Sequence, residues 1–161
     1  MNVNISTYDF LNKFSLGLVF VGVLFFSYIN NIAGLVRDME FLNNNAIVAT
    51  IISFIVLALI YEVGIIINRL GSLLECFLRF TRLIPFNNDY KKFNVCKKDY
   101  KILGILSREY ALSRNSIVLF FLVTIIIFLR FAWYGFFPLG IMFLFYISCY
   151  RYARKICDLM E

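Results

Sequence analysis

The 161 residues contain no histidine. That removes the commonest general base, the Ser-His and Cys-His nucleophile pairs, and the commonest metal ligand. Proline is almost absent too. Pro85 and Pro138 are the only two, so nothing in the first 84 residues breaks a helix by ring closure. Cysteine is sparse: Cys76, Cys96, Cys149 and Cys157 form no CxxC pair, and reduced thiols are expected rather than disulfides. Charged residues make up 16% of the chain, against about 25% in a soluble domain. There is no GxGxxG turn and no Walker lysine to cradle a phosphate. These absences predict no cofactor, no metal site and no enzymatic activity.

What is present is apolar. The chain is 61% hydrophobic and 19% aromatic, where a soluble domain is about 45–50% apolar. The excess falls in four blocks, near residues 11–29, 46–67, 117–132 and 136–150. Runs of this length read as membrane-spanning helices. Residues 1–12 carry no Lys or Arg, and no small-x-small cleavage site follows the first run, so that run is read as a retained span.

Charge sets the orientation. Ten of the sixteen Lys and Arg residues lie between Arg69 and Arg114, in the loop joining spans two and three. Positive charge is retained on the cytoplasmic side. The N- and C-termini and the large loop are therefore expected in the cytoplasm. The same bias accounts for the net charge of +6, and nucleic acid is not an expected partner.

The predicted fold is all-α: a four-helix transmembrane bundle with a cytoplasmic helical hairpin extending spans two and three. Residues 1–67 supply the first two spans, 68–115 the hairpin and basic loop, and 116–161 the last two spans and a tail. The polar positions Gly64, Asn68, Gly71, Ser72, Glu75, Arg79 and Arg82 fall on one side at helical spacing. Ile66, Leu70, Leu73, Leu74, Phe77 and Phe80 fall on the other. This predicts one helix from Ala46 to about Leu83, followed by a loop over 85–98. A second long helix is expected from Asp99 through span three, with Ile102, Leu103, Leu106 and Tyr110 as an apolar face. Between spans one and two, Ile32, Leu35, Val36, Met39 and Leu42 recur every three or four residues. They suit either a surface helix or an extension of span one. Gly17 and Gly22 are five apart, which is not the GxxxG spacing. Trp133, Tyr134, Phe136 and Phe137 mark an interfacial belt.

Four groups of residues are candidates for function. Glu62 interrupts an apolar run, where a carboxylate is expensive. It faces a bundle interior or pore, or it pairs with Arg69 and only defines the bundle. Arg130 lies near the outer end of span three and either snorkels to headgroups or joins a charge ring. The stripe Asn68, Arg69, Gly71, Ser72, Glu75 and Arg79 suits helix packing or a partner interface, with Arg108, Glu109 and Arg114 opposite. Its alternative is a solvated face. Lys91, Lys92, Lys97, Lys98 and Lys101 are candidates for lipid-headgroup contact.

The run of residues 61–75 (YEVGIIINRLGSLLE), with Ser107-Arg108-Glu109-Tyr110 and Arg114-Asn115-Ser116, resembles small bacterial membrane proteins. Some of these are similar to the membrane subunits of anti-phage defence operons, of which the four-span subunit of the Kiwa system is an architectural example. The resemblance implies a homo-oligomer of the bacterial inner membrane that senses or alters the bilayer and engages a cytosolic partner. It transfers no catalytic residue. Two functions follow as expectations: a non-enzymatic sensor or anchor, and an oligomeric channel or membrane-perturbing effector with Glu62 near the pathway.

Overall fold

In the computed structural model, residues 7–37, 46–85, 93, 95–96 and 101–160 are described. Among them there is no strand. Four long helices carry the chain: α1 (Thr7–Arg37), α2 (Ala46–Phe80), α3 (Lys101–Phe131) and α4 (Phe136–Asp158). All four are long and apolar enough to cross a membrane. A 3-10 turn, Ala132–Gly135, joins α3 to α4. Pro138 sits in the first turn of α4, where its missing N–H leaves no helical bond unmade.

α1 and α4 run further than the expected spans, while α2, expected from Ala46 to about Leu83, ends at Phe80. α1 continues to Arg37, but Tyr28 leaves helical geometry (φ −117°, ψ 17°), so the extension is joined across a kink. Met39 and Leu42 lie outside the described residues. α4 runs eight residues past its expected end at Tyr150, to Asp158. α2 is a single 35-residue helix. At 1.5 Å per residue that is about 52 Å, well beyond a hydrocarbon core of roughly 30 Å.

α2 stops at a specific signal. Arg82 adopts the left-handed conformation (φ 55°). Leu83 N–H donates to Leu78 O and Arg82 N–H to Arg79 O, both at 3.0 Å. This is a Schellman cap with arginine in the position glycine usually fills. Beyond it, Tyr146 Oη donates to Leu83 O at 3.2 Å. The end of α2 is thus held against α4, in addition to its packing on α3.

α3 is the centre of the assembly. It packs against each of the other three helices. In its apolar stretch 44% of residues are buried, against 17% in each of the others. α1 and α2 cross backbone to backbone. A Cβ on Gly17 would lie 1.8 Å from Ile60 O, and one on Gly64 would lie 1.8 Å from Lys13 O. Gly22 faces open space instead, so the close approach pairs Gly17 with Gly64 and not with Gly22.

Two apolar clusters result. One gathers Leu16, Ile67, Leu119 and Val123 from α1, α2 and α3. The other gathers Leu78, Ile84, Leu103, Tyr110, Cys149, Ala153 and Ile156, among others. Leu103 and Tyr110 are buried as the periodicity predicts, but Ile102 is exposed.

Candidate functional site: a polar layer between α2 and α3

The polar stripe of α2 turns inward. Asn115 of α3 is 1% exposed, and its Nδ2 donates to Asn68 Oδ1 at 2.8 Å. Arg114 Nε and Nη2 donate to Asn115 Oδ1 at 3.3 and 3.2 Å. The Arg114 guanidinium also pairs with Glu75, and the second oxygen of that carboxylate pairs with Arg79, one turn further along α2. Glycine makes the approach possible: a Cβ on Gly71 would lie 2.2 Å from Asn115 Oδ1.

This layer is secluded. The side chains of Glu75, Arg79 and Arg114 are between 11% and 17% exposed. Ile67 packs in one apolar cluster just before the layer along α2, and Leu78, beside Arg79, packs in the other. Two guanidinium groups share one carboxylate, so the ion triad carries one net positive charge. Taking ions out of water costs several kcal/mol each, which the pairing of both guanidinium groups with the Glu75 carboxylate offsets. Breaking a buried pair by removing one member typically costs about 3–5 kcal/mol. The layer therefore specifies the register of α2 against α3.

Its chemistry is that of recognition between helices. No hydroxyl or thiol nucleophile is bonded to a base in it. Cys149 is fully buried. Among the described residues no group of three or more His, Cys, Asp or Glu could hold a metal.

The structure separates the sequence candidates. Asn68, Gly71, Glu75 and Arg79 come together in the layer. Ser72 is exposed and donates to Asn68 O of its own helix at 3.2 Å. Arg69 and Glu62 are both exposed on the outer side of α2. They form no ion pair with each other or with any described residue. Arg130 is exposed, with its guanidinium 5.7 Å from the ring centroid of Tyr28. Lys101 opens α3. Lys91, Lys92, Lys97 and Lys98 lie outside the described residues.

Of the expected partners on α3, Arg114 enters the layer. Arg108 lies instead over the ring of Tyr8, 5.5 Å from its centroid. Asn115 is the residue that the periodicity did not single out. Asn115 and its neighbours Ser113 and Ser116 are all at most 4% exposed, a burial that no pattern in this polar run marks.

The apolar side of α2 faces out. Ile66, Leu70, Leu73, Phe77 and Phe80 are 57%, 37%, 66%, 59% and 88% exposed. A water-soluble helix would show the opposite arrangement. Compared with protein-family models, curated proteins and solved structures, the chain matches none of them.

Proposed function

We propose that this chain is a non-enzymatic, multi-pass protein of a bacterial inner membrane. Its termini and the basic segment that joins α2 to α3 lie on the cytoplasmic side. The exposed apolar side of α2, as far as Phe80, is read as lipid-facing and not as part of a cytoplasmic hairpin. The chain works as a homo-oligomeric sensor or anchor that engages a cytosolic protein. One observation carries the reading. The converging polar groups of α2 and α3 are consumed in joining the two helices, while the outward faces are apolar. Such a chain presents surfaces for lipid and protein rather than a reaction centre. The basic segment between α2 and α3 supports the orientation. The resemblance to defence-operon subunits extends the same proposal to anti-phage defence.

The test is the particle mass of the full chain in lipid nanodiscs, with co-purifying proteins identified in the same preparation. Cross-linking through Cys76, an exposed free thiol, reports whether copies adjoin along α2. A multiple of 18.9 kDa with a bound soluble protein is the expected result. A bare monomer in native membranes and in mild detergent would sink the proposal.

A second reading has its own observation. Glu62 is exposed on an apolar face and has no ionic partner among the described residues. Intramembrane carboxylates face cavities or partner groups, so an oligomer that gathers Glu62 around a pathway would conduct ions. Ion leakage on expression, abolished by Glu62→Ala, is the result that favours this channel.

A further inference from the structure

The exposed side of α4 changes character at one point. From Phe136 to Ile147 its exposed side chains are apolar: Phe136, Phe137, Leu139, Phe143, Leu144 and Ile147. Beyond it the exposed residues are Tyr150, Arg151, Arg154, Lys155 and Asp158. The opposite end is marked by Trp133 and Tyr134, 84% and 74% exposed. The rise from Trp133 to Tyr150 is roughly 25 Å at 1.5 Å per residue, close to the thickness of a hydrocarbon core. Two aromatic ends that far apart match the two interfacial levels of a bilayer.

Ile147, Tyr150, Arg151, Arg154, Lys155 and Asp158 line an open groove of about 470 Å³. Their spacing of three and four residues puts them on one side of the helix. Three cations face one acid there. Among the described residues, none of the three cations forms an ion pair. Nothing among the described residues neutralises these cations, whereas Arg79 and Arg114 are engaged by Glu75.

We propose that this groove binds the headgroup of an anionic phospholipid. The phosphate would sit against Arg151 and Arg154, whose planar forks suit its oxygens. Lys155 adds charge at the rim. Tyr150 stands at the glycerol level, and an acyl chain passes Ile147. Charge complementarity selects the lipid: an anionic headgroup adds a net negative charge that a zwitterionic one lacks. The inference rests on the membrane embedding of α4 and not on any cytosolic partner, so absence of a partner leaves it standing.

The experiment is native mass spectrometry of the full chain in detergent, titrated with phosphatidylglycerol or with phosphatidylcholine of the same acyl chains. Wild type is expected to retain phosphatidylglycerol preferentially. A cation at an anionic lipid surface contributes about fivefold in affinity. Arg154→Gln should therefore weaken binding by about that factor, and R151Q/R154Q/K155Q by about a hundredfold. Asp158→Asn should tighten binding by a few-fold. Replacing Lys91, Lys92, Lys97 and Lys98 with Gln should leave this site occupied. Equal retention of the two lipids would overturn the proposal, as would triple-variant binding within twofold of wild type. Displacement by millimolar inorganic phosphate would show a free-phosphate site instead. Should the triple variant fail to fold, Arg154→Gln and Asp158→Asn decide the matter, and no change in either would overturn the proposal.

Discussion

The guanidinium of Arg130 lies over the ring of Tyr28, the residue at which α1 leaves helical geometry. No proline or glycine occupies that position, and the contact comes from the parallel helix α3. The contact ties the outer end of α3 to the bend. It gives Arg130 a definite partner within the chain.

Arg130→Ala and Tyr28→Leu are each expected to destabilise the folded protein modestly. An exposed cation–π pair contributes about 0.5–1 kcal/mol. A double-mutant cycle followed by thermal unfolding in detergent should return coupling of that size. Additive single effects would show that the two side chains do not support each other.

Glu75→Gln leaves two guanidinium groups adjacent and unneutralised. It should cost about 3–5 kcal/mol, the usual result of removing one member of a buried ion group. Replacing all three ions together, as E75M/R79L/R114M, should recover much of that loss, because an apolar layer has no charge to desolvate. Unfolding monitored by circular dichroism in mild detergent compares the two. If the triple variant is the less stable, the layer contributes net stability and not only register.

The glycines predict an ordered series. Gly64→Ala drives a methyl group into the Lys13 carbonyl, and backbone cannot step aside. Gly71→Ala meets the Asn115 side chain, which can rotate at the expense of its bond to Asn68. Gly22→Ala meets nothing within 4 Å and gains up to about 1 kcal/mol of helix propensity. Melting temperatures should therefore fall most for Gly64→Ala, less for Gly71→Ala, and hold or rise for Gly22→Ala.

Arg82→Gly should stabilise the chain. A non-glycine residue in the left-handed region carries a penalty of about 1–2 kcal/mol, which glycine avoids. The cap bonds from Leu83 and residue 82 use backbone only and survive the change. A lower melting temperature would mean that the Arg82 side chain makes a contact worth more than its strain.

Periodicity within a helix was legible from the residues alone. The alternation from Gly64 to Phe80 marked one continuous helix, although Ser72 of the polar side is exposed and Leu74 of the apolar side packs against the core. The sequence pattern could not say which side faces in, because in lipid the usual rule of apolar inside is reversed. Pairings between helices were harder still. Gly17 finds Gly64, and Asn68 finds Asn115, across dozens of residues, and nothing in either segment names the other. Asn115 escaped notice because one amide among arginines and serines looks like ordinary surface.

The polar layer also bears on the order of synthesis. Glu75 and Arg79 leave the ribosome together, one helical turn apart, and neutralise each other. Their third partner, Arg114, follows 39 residues behind Glu75. In the interval the α1–α2 hairpin can already be seated, held at the Gly17–Gly64 crossing by contacts made wholly within the first 64 residues. The arrival of Arg114 then acts as a late latch. It fastens α3 to a hairpin already in place, and α4 is laid last against the remaining flank of α3.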